Sequence, residues 1–246
     1  MIPEKINDDI SLFSQEGSLD FGTDAYLLSA YLRKAPRSDF AELGCGNGVI
    51  SLLCAARKKA GHITAFEIQP PLAALAAKNV AFNHLEEKIS VINADIKKLS
   101  SEYGGKFSSV FANPPYMKVG GGKENADKSN SVCRREICGG IADFAKVAGK
   151  ILKFGGIFTC VYRPDRCAEL FCSLRAAGIE PKKATLVYPT SRHVPCLVLC
   201  ESKKGAAEGM IFTRPLIIYS SPDDMTQDGY TEDMKYIYEY GEFNGY

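Results

Sequence analysis

The chain has 246 residues, with 30 basic and 29 acidic side chains and a net charge of +1. This balance excludes a uniformly basic nucleic-acid-binding protein, although a local basic patch stays compatible with it. No apolar run approaches the ~20 residues of a membrane-spanning helix, and the N-terminus lacks the pattern of a signal peptide. We therefore expect a cytoplasmic globular protein built around one sizeable α/β domain.

Residues 1–38 are predicted to form an N-terminal lead-in that packs on the core. Residues 13–21 have the pattern of a small hairpin. Residues 24–32 favour an amphipathic helix, capped near Thr23 or Asp24. The lead-in is thus expected to place a helix directly before the first strand of the domain. We place this domain at residues 39–219.

A glycine-rich turn follows the first predicted strand. The apolar strand 40–43 runs into Gly44, Gly46 and Gly48, and a helix is predicted over 48–59. Strand, glycine turn and helix form the nucleotide-binding corner of a doubly wound sheet. Glycines let the backbone approach a ligand closely, so this turn is a candidate cofactor site.

Acidic residues follow the next two predicted strands. Strand 62–67 ends in Glu67, and strand 89–93 is followed closely by Asp95. An acid at the position of Glu67 suits a bidentate grip on ribose hydroxyls. Asp95 lies where an acid can reach an adenine amino group. Ligands of open α/β sheets bind at the carboxyl ends of the strands, so these acids belong to the same candidate site.

The fourth strand, 108–112, ends in the tetrapeptide Asn113-Pro114-Pro115-Tyr116. Two prolines donate no backbone hydrogen bonds, so the strand must stop there. The result is a stiff turn that offers an amide, free carbonyls and an aromatic face at one point. Such a turn is suited to gripping a planar amino group.

The second half of the chain is predicted to complete the sheet. Residues 117–132 are glycine-rich and polar and favour a flexible lid. Residues 220–246 form a polar, tyrosine-rich tail, which is typical of a weakly ordered terminus. The elements between them are helix 135–152, a turn at 154–156, strand 157–162, helix 164–177, an antiparallel hairpin of strands 183–188 and 195–201, and a last strand at 211–213.

The nine cysteines include no C-x-x-C pair, and the chain has only three histidines. A zinc ribbon or a complete disulfide framework is therefore not expected. We predict no metal site.

The order of these motifs resembles that of the class I S-adenosylmethionine-dependent methyltransferases. Residues 42–48 are similar to their cofactor turn, whose Gly-x-Gly-x-Gly spacing favours S-adenosylmethionine over NAD. The tetrapeptide at 113–116 is similar to the signature of their amino-methylating branch, which modifies adenine N6, cytosine N4 or a glutamine amide. The resemblance implies a single, mostly parallel Rossmann-like sheet with helices on both faces and a C-terminal antiparallel hairpin.

A narrower resemblance is to the bacterial tRNA adenine-N6 methyltransferases directed at valine tRNA, over roughly residues 10–240. It rests on residues 21–28, 134–136, 163–164 and 230–234. It implies methylation of an adenine in tRNA, in the anticodon loop of a valine tRNA, with S-adenosylmethionine as cofactor.

The resemblance also implies roles for individual residues. In the tetrapeptide, Asn113 and Pro114 would accept the hydrogens of the target amine, Pro115 would stiffen the turn and Tyr116 would stack on the base. The remaining implied site residues are Thr23, Glu42, Gly44, Gly46, Gly48, Glu67, Ile68 and Asp95 for the cofactor, and Lys118, Arg134 and Arg135 for RNA.

Three alternatives share parts of this pattern. The glutamine methyltransferase of peptide-release factors has the same tetrapeptide but usually carries a substantial helical domain ahead of the core, where this chain has about 38 residues. An adenine-N6 methyltransferase acting on DNA or another RNA shares the chemistry. A degenerate, non-catalytic RNA-binding module would not need the intact tetrapeptide and the two acids.

Overall fold

The structure, a computed structural model, describes residues 3–7, 10–14, 22–115 and 139–245. Its strands and helices alternate over most of that length. In chain order they are β1 Glu4–Lys5, β2 Ser11–Leu12, α1 Thr23–Tyr31, β3 Ala35–Leu43, α2 Val49–Ala56, β4 Ala60–Glu67, α3 Pro70–Phe82, β5 Ile89–Asn93, β6 Phe107–Ala112, α4 Ile141–Ile151, β7 Leu152–Tyr162, α5 Cys167–Ala176, β8 Ile179–Tyr188, β9 Leu197–Lys204, β10 Ile211–Phe212, β11 Leu216–Ile217 and α6 Glu232–Tyr240.

The main sheet confirms the predicted fold class. Its order is β10-β8-β9-β7-β6-β3-β4-β5, with β11 also paired to β8. The five strands from β7 to β5 are parallel, and β9 runs antiparallel between β7 and β8 as the predicted hairpin. The short strands β10 and β11 add parallel partners to β8, of which only β10 was predicted.

Helices cover both faces of the sheet because the strands alternate buried side chains between two cores. In β6, Phe111 packs in the core formed with α1, α2, α3 and α6. Its neighbours Val110 and Ala112 pack in the core formed with α4 and α5. Successive residues of a strand point to opposite faces, so both faces of β6 need this apolar cover.

Helix α1 differs from the predicted amphipathic helix. Every residue from Ala25 to Tyr31 is buried, because α2, α6, β7 and β9 surround the helix. The N-cap is Gly22 and not Thr23 or Asp24, and it provides no side-chain cap. The predicted hairpin at 13–21 lies mostly outside the described residues, and the observed pairing joins β1 to β2 instead.

The predicted turn at 154–156 is wrong, because β7 continues through it. Gly155 has φ of +75°, and the pairing of β7 with β6 shifts its register nearby. Between the Phe107–Leu152 and Ser109–Ile157 pairs, β7 carries three more residues than β6, which is a wider irregularity than a one-residue β-bulge.

The expectation of a weakly ordered tail is also wrong. Thr231 caps α6 by accepting a hydrogen bond from the N–H of Met234 at 3.3 Å. Met234 and Ile237 are buried. The ring of Tyr238 stacks on Tyr26 of α1 with a centroid distance of 4.6 Å and an interplanar angle of 8°. The tail therefore closes the core over α1.

Candidate active site

The carboxyl ends of β3, β4, β5 and β6 meet at one edge of the sheet. Leu43, the last residue of β3, pairs with Phe66 of β4 on one side and with Ala112 of β6 on the other. Glu67 pairs with Asn93 at the end of β5. The glycine turn, the two acids and the Asn-Pro-Pro turn therefore emerge side by side, as the sequence predicted.

The glycine turn is held open by backbone geometry. Gly44, Gly46 and Gly48 have φ values of +73°, +57° and +87°, a region that favours glycine. The N–H groups of Gly44 and Cys45 both donate to the carbonyl of Phe66 at 2.9 Å, which fixes the turn against β4. These two bonds hold the start of the turn in place against β4.

The glycines differ in what surrounds them. Among the residues that the structure describes, a Cβ on Gly46 would meet no atom within 4 Å, so the space above this residue is open to a ligand. A Cβ on Gly48 would lie 3.3 Å from Cβ of Ala76 in α3. Gly46 thus offers room for a cofactor, whereas Gly48 allows the start of α2 to lie close to Ala76 of α3.

Glu67 is buried at the end of β4, with 4% of its surface exposed. Its Oε2 accepts a hydrogen bond from the N–H of Gly46 and its Oε1 accepts one from the N–H of Gln69, each at 2.9 Å. Each carboxylate oxygen has a second lone pair for a further donor. The carboxylate is therefore fixed in place and still able to accept two hydroxyl hydrogens.

Asn93 is a supporting residue that the sequence analysis missed. Its Nδ2 donates to the carbonyl oxygens of Glu67 at 2.8 Å and Ile68 at 3.2 Å. These bonds hold the backbone of the predicted cofactor residue Ile68 at the end of β4. No local pattern distinguishes Asn93 from any polar residue at a strand end.

Asp95 caps the short 3-10 turn Ile96–Lys98. Its Oδ1 accepts a hydrogen bond from the N–H of Lys97 at 3.0 Å, and its Oδ2 lies 3.9 Å from Nζ of Lys98. The carboxylate is ordered by these local contacts and keeps acceptor capacity at Oδ2. Asp95 therefore lies just beyond the carboxyl end of β5.

Glu42 is the most buried acid of the edge, with 1% of its surface exposed. Its Oε2 accepts hydrogen bonds from the N–H and the hydroxyl of Ser51. Within the described ranges, its Oε1 has no hydrogen-bond donor. Burial raises the pKa of Glu42 to about 8, with a smaller contribution from the charge of Glu67. A buried carboxyl oxygen without a hydrogen-bond partner, beside the glycine turn, fits a cofactor that brings a polar group.

The Asn-Pro-Pro turn contacts the N-terminal turn of α1. Nδ2 of Asn113 donates to Oδ2 of Asp24 at 2.9 Å. Pro114 is buried and Pro115 is half-buried. Asp24 is a second residue that the sequence analysis did not assign to the site, although it lies within the segment 21–28 that carried the family resemblance.

The predicted cofactor residue Thr23 lies beside Asp24 at the start of α1. It lines a cleft bounded by β1 and α6, together with Tyr26, Tyr230 and Tyr238. The predicted residues Tyr116, Lys118, Arg134 and Arg135, and the lid at 117–132, lie outside the described residues.

Asn79 of α3 supports the glycine turn from below. Its Nδ2 donates to the carbonyls of Asn47 at 2.9 Å and Phe13 at 3.2 Å, and its Oδ1 accepts from the N–H of Phe13 at 2.8 Å. One buried amide therefore connects α3, the turn and the lead-in. This link between segments distant in sequence has no local signature.

Within the ranges that the structure covers, no group of three or more His, Cys, Asp or Glu side chains could hold a metal ion. Nor does any helix in those ranges combine the length and the apolar character needed to cross a membrane.

Comparison with protein families and curated proteins gives consistent matches. The family model of the methyltransferase small domain matches residues 4–165. A relative from Flavobacteriaceae bacterium strain 3519-10 is 27% identical over 188 residues, covering 70% of this chain and 78% of that protein. One from Escherichia coli O157:H7 is 27% identical over 216 residues, covering 87% of this chain and 86% of that protein. Both relatives are named tRNA1(Val) (adenine(37)-N6)-methyltransferase.

Solved structures show the same fold. A predicted O-methyltransferase from Agrobacterium tumefaciens matches with a TM-score of 0.69 and 23% identity, covering 90% of this chain and 98% of that chain. Geranyl diphosphate C-methyltransferase from Streptomyces coelicolor, solved with S-adenosyl-L-homocysteine, matches with a TM-score of 0.55 and 12% identity, covering 73% of this chain and 79% of that chain.

Proposed function

We propose that this chain, which belongs to the methyltransferase small domain family, methylates N6 of an adenine in tRNA. It is an S-adenosylmethionine-dependent methyltransferase. The observation that carries the choice of substrate chemistry is the pairing of Leu43 with Ala112. This pairing sets the glycine turn next to Asn113, so a methyl donor and an amine can meet across two neighbouring strands.

The names of the curated relatives support a tRNA substrate, and we extend this to the anticodon loop of a valine tRNA. An RNA substrate also agrees with the cytoplasmic location expected from the sequence. The basic residues Lys118, Arg134 and Arg135 are proposed to bind RNA phosphates.

Each proposed cofactor residue has a role that follows from its contacts. The two remaining lone pairs of Glu67 would accept the ribose hydroxyls, and Asp95 would accept the adenine amino group. The open side of Gly46, with Gly44 and Gly48 shaping the turn, would admit the methionine part, and Oε1 of Glu42 would hydrogen-bond a polar group of the cofactor. Ile68 and Thr23 complete the proposed set, with Thr23 at the methionine end.

S-adenosylmethionine supplies an electrophilic methyl group when bound. The protein's task is to present a nucleophilic amine, because the lone pair of an adenine amino group is shared with the ring. Oδ1 of Asn113 and the carbonyl oxygen of Pro114 are proposed to accept its two hydrogens, drawing the nitrogen toward tetrahedral geometry. After transfer, the methylated ammonium releases its proton to solvent without a dedicated base.

Most of the rate enhancement is expected from orientation, which well-aligned groups convert into large effective concentrations. Pro115 would keep the turn stiff. Tyr116 would stack on the target base once it leaves its strand, a contact worth ~1–3 kcal/mol.

The test is methyl transfer from labelled cofactor to four substrates side by side: total tRNA, duplex DNA, single-stranded DNA and a peptide-release factor. We expect labelled N6-methyladenine in tRNA and none with the Asn113→Ala variant. Labelling of release factor alone would overturn the proposal in favour of a glutamine methyltransferase. Labelling of DNA alone would keep the chemistry and overturn the proposed substrate.

A further inference from the structure

We propose that Asp24 is a positioning residue, which holds the side chain of Asn113 so that its oxygen faces the substrate. That the substrate group facing this oxygen is an amine rests on the proposed function. The contact itself lies between residues 89 positions apart in the chain, with Nδ2 of Asn113 donating to Oδ2 of Asp24 at 2.9 Å.

The chemistry of the pair fixes the orientation of the amide. An ionised carboxylate has only acceptors, whereas an asparagine amide has an acceptor oxygen and a donor nitrogen. Rotating the Asn113 amide by 180° would bring two oxygens together at hydrogen-bond distance. The carboxylate therefore selects the orientation in which Nδ2 faces Asp24 and Oδ1 faces away from it.

Asp24 is itself fixed by the start of α1. Its Oδ1 accepts a hydrogen bond from the N–H of Ala25 at 2.8 Å, and an acid in the first helical turn interacts favourably with the helix dipole. The two oxygens thus have separate partners, one on the helix and one on the Asn-Pro-Pro turn. The carboxylate connects α1 rigidly to the end of β6.

Gly22 leaves the space that this carboxylate occupies. Its φ of −85° and ψ of 157° are extended values that any residue adopts. A Cβ at this position would lie 2.5 Å from Oδ1 of Asp24. A side chain at Gly22 would therefore displace the Asp24 carboxylate from its observed position, whereas the backbone conformation itself suits any residue.

The fixed orientation of Asn113 determines which group of the substrate can bind to it. With Asn113 held in one orientation, its Oδ1 and the carbonyl of Pro114 are both acceptors. An exocyclic amine has two hydrogens for them, whereas a keto oxygen at the same position has none. Asp24 would thereby favour an adenine over a base that carries a carbonyl group there.

The first test uses the protein alone and measures the side-chain amide of Asn113 by NMR. The resonance pair is assigned by its loss in Asn113→Ala. Because a carboxylate partner shifts amide protons strongly, Asp24→Asn and Gly22→Ala should each move it. The control Asp233→Asn makes the same charge change in the first turn of α6, where Asp233 pairs with Arg214, and should not move it.

The second test is kinetic. We expect Asp24→Asn and Gly22→Ala to lower kcat by about 100-fold, the loss typical of a misplaced reacting group, with the Kd for S-adenosylmethionine unchanged. In the Asn113→Ala background, Asp24→Asn should cause no further loss, because its effect acts through Asn113. A merely structural role would lower stability and would add to the loss in both backgrounds.

The outcomes separate this proposal from the proposed function. If the wild-type protein methylates no tRNA, the proposed function fails and the NMR measurement still decides the role of Asp24. If the wild type is active, while Asp24→Asn leaves both kcat and the Asn113 resonances unchanged, the positioning role is overturned.

Discussion

The N–H of Gly46 donates a hydrogen bond to Oε2 of Glu67 at 2.9 Å, so the glycine turn after β3 is tied to the end of β4. One carboxylate thereby shapes the turn and faces the open space beside it. The two halves of the proposed cofactor site are therefore coupled, and a change at Glu67 should affect both.

Glu67→Gln should weaken binding of S-adenosylmethionine by about 100-fold, equivalent to ~3 kcal/mol for lost hydrogen bonds to a charged group. The substituted amide would present a donor where Glu67 accepts from Gly46 or Gln69. Calorimetry measures the affinity, and circular dichroism reports the fold. The exposed Glu87→Gln is the matched control, and equal affinities in all three proteins would remove Glu67 from the site.

Asn113→Ala should lower the rate of methyl transfer by at least about 100-fold, the scale seen when one group aimed at a reacting centre is removed. The amide is proposed to contact the target amine and not the ribose or adenine of the cofactor, so cofactor affinity should stay close to that of the wild type. Single-turnover kinetics with saturating cofactor provide the rate. Rapid turnover by this variant would contradict the proposed mechanism.

Stability should fall with rising pH because of Glu42. Burial raises its pKa from 4.5 to about 8, so the folded protein keeps a proton that the unfolded chain releases between these values. The free energy of unfolding then falls as pH rises, by at most about 1.4 kcal/mol per pH unit.

Denaturant titrations at several pH values between 5 and 8 test this dependence. Glu42→Gln carries no titratable group, and its free energy of unfolding should vary less with pH over this range. If the free energy of unfolding varied with pH equally in the two proteins, Glu42 would be ionised in the folded state.

Lys59→Met should destabilise the protein by about 2 kcal/mol. Nζ of the buried Lys59 donates to the carbonyl oxygens of Ala30 and Leu32, both at 2.8 Å, and so satisfies the C-terminal end of α1. Thermal and denaturant unfolding measure the loss. The exposed Lys34→Met is the control, and an equal effect of both substitutions would contradict the capping role.

The candidate site was largely predictable because it depends on strand order. Once strands end in a glycine turn, an acid or an Asn-Pro turn, parallel pairing brings Gly46, Glu67, Asp95 and Asn113 to one edge. The contact of Asp24 with Asn113 was not predictable, since it depends on how α1 packs across the end of β6. Nothing in either local pattern specifies that approach.

The differences between the predicted and the observed fold also arise from contacts between segments distant in sequence. Successive glycines at 155–156 are compatible with a turn or with an irregular stretch inside a strand, and pairing with β6 on both sides of them selects the irregular strand. The tail has a polar, acidic composition, yet Met234 and Ile237 lie three residues apart and share one buried face of α6. Two apolar positions in a polar segment do not indicate burial until α1 is there to receive them.

The most direct test of the central claim is mass spectrometry of nucleosides from purified tRNA of a strain that lacks this gene. The account predicts that N6-methyladenosine is lost from tRNA in the deletion strain. The wild-type gene should restore it, and the Asn113→Ala variant should not. Unchanged N6-methyladenosine in the tRNA of the deletion strain would contradict the account.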